Sequence, residues 1–273
     1  MANKTPLAAW LYSNRKALNP RFKEFSWPER FLSGVFDFST VLTWNGIEVE
    51  GRGVDTRREI ALEKSVAEAI ERLICKNFGF DSVGFAAAAT IDPMPHARFE
   101  ALERFYLEKH IQTHTPFQKL TATCELADKF RNQNPNSEIS FYRMATPDDI
   151  FGVVCSIESF QSPKRSLGFA LSDSLDNCLR RSLLEAMPNF AWLIEKDTNV
   201  EITEPATPWH IDSDFLKKIV PLLKRKENLG DQIFTFQIPI LKNVEVFHSQ
   251  ITIIKDAPLR TSRFVLQAEG EVQ

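Results

Sequence analysis

The pattern of apolar and polar positions sharpens at Phe36. Residues 38 to 44, Phe-Ser-Thr-Val-Leu-Thr-Trp, are β-branched and aromatic, Asn45-Gly46 follows at once, and Ile47-Glu48-Val49-Glu50 alternates. An Asn-Gly pair between two such runs predicts a hairpin, because a type I′ turn needs positive φ at both central residues. Beyond Gly51-Arg52-Gly53-Val54 the period changes from two to that of a helix. Asp55 or Thr56 is the expected cap of a helix over residues 57 to 78, with Ile60, Ala67, Ile70, Leu73 and Ile74 as its apolar stripe. Gly79 is the expected stop.

Residues 82 to 90 are small, with four alanines, and Gly84 with Asp92-Pro93 beyond favours a closely packed strand over a helix. A second helix is expected over 95 to 112. A strand, a short helix and a polar loop should follow between 117 and 136, then strands at 139–144, 152–157 and 167–171 and a helix over 175–194. Pro205 to Pro208 marks a linker, with a helix at 212–227 and strands at 232–240 and 247–254. The mixed opening stretch, with Trp10, Tyr12, Trp27 and Phe31, reads as a partly helical arm docking through its aromatics. The strand-strand-helix order predicts an α+β fold of repeated units, antiparallel or mixed sheets packed with helices. The expected organisation is an arm (1–33), a core (34–200) and a helix-plus-strands extension of the same domain (201–273).

One stretch repeats. Glu68-Ala69-Ile70-Glu71-Arg72 on the first helix returns as Glu100-Ala101-Leu102-Glu103-Arg104 on the second, and more faintly as Glu185-Ala186-Met187 on a later one. On a wheel of about 100° per residue, Glu68 lies opposite Ile70, Glu71 lies on the flank, and Lys64 and Cys75 fall between them. Glu100 and Glu103 take the same places around Leu102. Each copy by itself reads as a solvated face stapled by an i, i+4 Glu–Arg pair. Two copies on neighbouring helices suggest polar strips that face each other across a cleft. Four converging carboxylates would need cations, and their hard oxygens suit Mg2+ shared with nucleotide phosphates. Arg72 and Arg104 then become phosphate partners rather than staples.

Composition narrows the classes. A net charge of −3 gives no basic field, against general nucleic-acid binding. Four scattered cysteines argue against a disulfide framework or zinc site and for reduced cytosolic thiols. The opening residues lack an apolar signal core, and no run is long enough to span a bilayer, so a cytoplasmic chain without membrane contact is expected. His110 and His114, with Glu108, are a weaker metal alternative. Asp148, Asp149, Asp173 and Asp176 read as turns and caps, and Cys75 as a structural thiol.

Gly51-Arg52-Gly53 with Ala61 and Glu68-Ala69-Ile70-Glu71-Arg72 resembles the first signature of the YcaO-domain family. Ser82, Gly84, Ala86 and Ala87 with Glu100-Ala101-Leu102-Glu103-Arg104 resemble its second, and residues 151 to 186 its third. The resemblance implies an enzyme, an ATP- and Mg2+-dependent cyclodehydratase or a related amide-activating catalyst, that matures a ribosomally made peptide. The implied product is an azoline, a thioamide or an amidine, depending on the nucleophile. It implies that Glu68, Glu71, Glu100 and Glu103 hold Mg2+ and the phosphates, assisted by Arg72, Arg104, Lys64 and Ser65. A precursor peptide and a separate leader-recognition protein are the implied partners, with a homodimer also open. The chain departs from the pattern at Lys64, where a serine is usual, at His96, and at Pro188 and Phe190, where a Gln and an Arg are often seen. These departures motivate the rival reading, a YcaO-like binding or scaffold subunit without catalysis.

Overall fold

The computed structural model describes residues 6–79, 85–88, 92–160, 165–197, 213–223, 241–244 and 259–266. The chain divides into two compact units, residues 1–101 with 239–273, and residues 102–238.

In the first unit, α1 (Pro6–Ser13), α2 (Arg15–Leu18), β1 (Arg21–Glu24) and α3 (Trp27–Phe31) lead into the hairpin β2 (Phe36–Trp44) and β3 (Ile47–Asp55). The arm is helical as expected and buries Trp10 and Trp27, but it also supplies β1, whose four residues are all exposed and carry no apolar alternation. The Asn-Gly turn forms as predicted, with φ of 50° at Asn45 and 77° at Gly46, and Trp44 pairs with Ile47. Helix α4 (Arg58–Phe78) follows with Arg57 at its N-cap and no side-chain cap, in place of the expected Asp55 or Thr56. Asp55 accepts the Arg57 N–H at 3.1 Å just before it, and Gly79 closes the helix at φ 66°. A second sheet runs β4 (Phe85–Ala88), β10 (Arg260–Leu266) and β9 (Leu241–Val244), antiparallel throughout. The expected strands at 232–240 and 247–254 lie outside the described residues. The alanine-rich strand is closely packed, Ala86 being buried against Ala97 and Ala101 of α5 (Met94–Thr113). This helix passes out of the first unit at Leu102.

The second unit holds β5 (Gln118–Leu120), α6 (Glu125–Gln133), β6 (Ser137–Arg143), β7 (Phe151–Ser159), β8 (Arg165–Ser172), α7 (Leu175–Asp197) and α8 (Ser213–Leu223). Its sheet has the order β5-β6-β7-β8, again antiparallel. The architecture is α+β, antiparallel sheets with helices packed on them.

Helix α4 is buried more broadly than its predicted stripe. Val66, Ile70, Leu73 and Ile74 enter an apolar core with Leu7, Trp10, Leu11, Leu18, Leu42 and Val49, whereas Ile60 remains half-buried. A second buried row, Ala61, Ser65 and Ala69, faces β3. There two glycines let helix and strand backbones touch. A Cβ at Gly51 would fall 2.1 Å from Ala69 N, and one at Gly53 would fall 2.0 Å from Ala61 O.

β3 is the outer strand of its sheet as described, and α4 covers that edge with one side chain per turn. Lys64 Nζ donates to Val54 O (3.2 Å), Glu68 Oε2 accepts the Arg52 N–H (2.6 Å), Arg72 Nη1 donates to Glu50 O (2.8 Å) and Lys76 Nζ donates to Glu48 O (3.3 Å). The match is geometric. Four helical residues rise about 6 Å and two strand residues about 6.8 Å, so every fourth helix residue meets every second strand residue. Cations take the carbonyls and the carboxylate takes the amide.

The second unit repeats this arrangement 117 positions later. A Cβ at Gly168 would fall 2.1 Å from Ser182 O and 2.5 Å from Ala186 N, as one at Gly51 would meet Ser65 O and Ala69 N. Glu185 Oε2 accepts the Phe169 N–H at 2.8 Å, and Arg181 Nη1 donates to Leu171 O at 3.1 Å. Among the described residues the other two rungs have no counterpart in this copy. Asn189, in the place of Arg72, donates to Glu185 O of its own helix.

Gly51→Ala and Gly168→Ala should each destabilise the protein by about 3 kcal/mol, because the new methyl meets backbone that cannot move alone. Gly46→Ala, with nothing within 4 Å of its Cβ, should cost only about 1 kcal/mol for its positive φ. Urea midpoints of the three variants check the order.

Candidate functional site

The polar strip of α4 is engaged in hydrogen bonds while remaining partly exposed. Glu68 is one-third exposed and uses both oxygens, Oε2 on the Arg52 N–H and Oε1 on Arg72 Nη2 at 2.5 Å. The i, i+4 staple therefore exists, and Arg72 also braces the β3 edge. Lys64 binds Asp55 at 2.7 Å, and the buried Ser65 hydroxyl pairs with Thr40 Oγ1 at 2.7 Å and donates to Leu62 O at 2.8 Å.

Glu71 projects to the other flank of the helix. Its Oε1 accepts the Ala87 N–H of β4 at 2.9 Å, at the outer strand of the second sheet as described. The two glutamates of the repeat thus each take an edge amide, from two different sheets of the same unit. Burial pushes the Glu71 carboxyl well above the usual range, and the neighbouring charge of Glu100 raises it further. The Ala87 N–H and Arg72 oppose the shift, but burial and the carboxylates prevail.

Glu103 and Arg104 lie one turn beyond Glu100, on the part of α5 that belongs to the second unit, both half-buried. There Glu103 neighbours Cys178. Burial pushes that thiol up to about 12, Arg181 opposing and Glu103 adding to it. Among the described residues no three His, Cys, Asp or Glu side chains are grouped to hold a metal ion. What is brought together in the first unit is the Glu68–Glu71–Glu100 neighbourhood with Arg72.

The histidine alternative gives way to a structural role. His110 is fully buried, its Nδ1 hydrogen-bonded to Thr115 O at 2.8 Å and its Nε2 accepting the Ala145 N–H at 2.9 Å. Because Nε2 accepts from a backbone amide, Nδ1 carries the proton, and both nitrogens are occupied. Its ring stacks on Phe117 at 4.1 Å, and burial lowers its pKa to about 4. His114 is exposed at φ 54°. Cys75 packs half-buried against the apolar core.

Sequence reasoning missed Asp37 and gave Arg52 no role beyond its place in the Gly51-Arg52-Gly53 signature. Asp37 is wholly buried and accepts the Arg52 guanidinium through both oxygens (3.0 and 3.1 Å from Nε, 2.5 Å from Nη2) together with Trp27 Nε1. An aspartate on a β-branched strand was the one available signal.

No family model matches the chain, and no curated relative does. Several solved structures share its fold, three of them as follows. The YcaO protein of Methanopyrus kandleri bound with AMPPCP and Mg2+ is 12% identical, with a TM-score of 0.61 over 96% of this chain and 89% of its own. The E. coli microcin synthetase McbBCD complex with pro-MccB17 bound is 8% identical, at 0.60 over 90% and 87%. A heterocyclase in complex with substrate and cofactor is also 8% identical, at 0.62 over 96% of this chain and 52% of that one. The chain has the YcaO-like fold. No helix among the described residues is long and apolar enough to cross a membrane.

As pH falls from the ordinary histidine value of 6.5 toward 4, the unfolded chain takes up a proton at His110 that the folded chain refuses, so stability falls across that window. The loss amounts to about 3 kcal/mol. Urea unfolding at pH 7 and pH 4.5 should show His110→Gln losing less on acidification than the wild type.

Proposed function

We propose that the chain is an ATP- and Mg2+-dependent enzyme that activates backbone amides of a ribosomally made precursor peptide, forming an azoline, thioamide or amidine. The observation that carries this reading is the pair of α4 carboxylates. Glu68 and Glu71 are each held through one oxygen by a strand-edge amide, at 2.6 and 2.9 Å, with the Glu100 charge reaching Glu71. Half-buried carboxylates set near one another favour a counter-cation, and carboxylate oxygens are the hard ligands that Mg2+ takes. The support lies in the type of donor, carboxylate oxygen, rather than in a grouped set of ligands.

Glu68, Glu71 and Glu100 would hold the cation, with Arg72 as the phosphate partner. Lys64, on Asp55, and Ser65, buried against β3, serve the helix–strand contact instead. The nucleotide, when bound, supplies the phosphoryl group that makes the amide oxygen a leaving group. The task left to these side chains is positioning and charge neutralisation, which needs no covalent nucleophile from the protein. The likeness in fold to peptide-acting synthetases supports a precursor peptide as substrate, with a separate leader-recognition protein as partner.

A second reading, a scaffold subunit of a peptide-maturation complex, is favoured by α7. In the 117-residue register Pro188 and Asn189 stand where α4 has Glu71 and Arg72. Pro188, Asn189 and Phe190 are all buried, Phe190 edge-on to Phe130 at 5.7 Å.

Calorimetric titration with ATP and Mg2+ separates the two. Wild type should bind, and Glu71→Gln and Glu100→Gln should each weaken binding about tenfold, or about 1.4 kcal/mol. No binding by the wild type overturns the enzyme reading. Equal binding by wild type and variants moves the site elsewhere, and binding without phosphate release on any precursor peptide favours the scaffold.

A further inference from the structure

Arg52 acts at two ends. Its backbone N–H is the donor that fixes Glu68 Oε2, at 2.6 Å. Its side chain leaves the strand on the face away from α4, since Gly51 and Gly53 on either side present theirs to the helix. On that outer face the guanidinium forks onto the fully buried Asp37, its Cζ 4.5 Å from the centre of the Phe25 ring. Asp37 is held in turn by Trp27 Nε1. Between two glycines, Arg52 carries the only side chain that can anchor this short run of backbone.

The second unit supplies an internal control. Phe169 stands in the place of Arg52, and its N–H still reaches Glu185 Oε2 at 2.8 Å. Gly152 pairs with Leu171 as Asp37 pairs with Val54, so it takes the place of Asp37. The amide-to-glutamate contact therefore forms in this fold without any ion pair behind it. The pair is therefore not what lets the contact form, and what it adds in the first unit is a fixed position for the Arg52 backbone.

We infer that Asp37 and Arg52 form a positioning clamp for the Glu68 carboxylate, fixing the strand amide from which Glu68 takes its orientation toward a bound cation. The inference rests on the cation-binding reading of Glu68. Neither clamp residue touches the ligand itself.

A double-mutant cycle tests it. Asp37→Asn and Arg52→Lys keep the shape but weaken the fork, and each is compared with Glu68→Gln and with the corresponding double variant, after circular dichroism confirms folding. Each clamp variant should weaken Mg2+·ATP binding about tenfold in the wild-type background and add less than twofold to Glu68→Gln. Additive losses, or wild-type affinity in both folded clamp variants, overturn the clamp. Amide exchange provides a readout that needs no ligand: in Asp37→Asn, exchange at Arg52 should quicken by at least tenfold while that at Phe169 stays constant. If the wild type binds no Mg2+·ATP, the functional reading fails alone. Unchanged exchange at Arg52 in both clamp variants sinks the clamp whatever binds. Should Asp37→Asn fail to fold, Arg52→Lys carries both measurements.

Discussion

The outer edge of β3 presents backbone groups that must find partners, because an unpaired strand edge buried under a helix would cost free energy at each rung. Helix α4 supplies them from Lys64, Glu68, Arg72 and Lys76, four apart in sequence and matched to alternate residues of the strand. Much else in the first unit follows from that contact. The helix backbone must lie against the strand, so Gly51 and Gly53 cannot carry side chains, and Ala61, Ser65 and Ala69 must be small. The two-residue Asn45-Gly46 turn sets the register that brings both glycines to the helix. A slip of one residue would turn them away and put Arg52 into the helix backbone.

The same edge contact explains why the repeated glutamates have two simultaneous meanings. Capping a strand amide is a structural task, and Glu185 performs it in the second unit with Pro188 in place of the second carboxylate. In the first unit a second carboxylate, Glu71, lies on the same helix with the Glu100 charge beside it, where the second unit has Pro188. The repeat is thus a fold device that one copy has elaborated. The Asp37–Arg52 pair belongs with that elaboration, since its positions in the second copy are Gly152 and Phe169.

Burial works in opposite senses at the titratable groups. At His110 it is matched by two backbone hydrogen bonds to the neutral ring, which removes the histidine from metal chemistry. At Glu71 a single amide is too little to offset burial and two neighbouring carboxylates. The first group is at rest as neutral imidazole. The second is held well above the ordinary carboxylate range.

Local pattern alone determined the hairpin, its turn, both ends of α4 and the long helices α5 and α7, because Asn-Gly, helix periodicity and a terminal glycine act over a few residues. It also determined that Glu68 and Glu71 recur in one pattern. It left β1 unread, since four exposed residues show no alternation, and likewise β10, which joins β4 across more than 150 positions, and β9, which joins the sheet through β10. The helical wheel states which side chains share a side of α4 but not what lies opposite. Tertiary structure alone decided that Lys64, Glu68 and Arg72 meet a strand edge and that Glu71 meets a different sheet. A strand's edge groups belong to the backbone and leave no mark in the residue types, so the partner that gives these side chains their orientation appears only once the chain has folded.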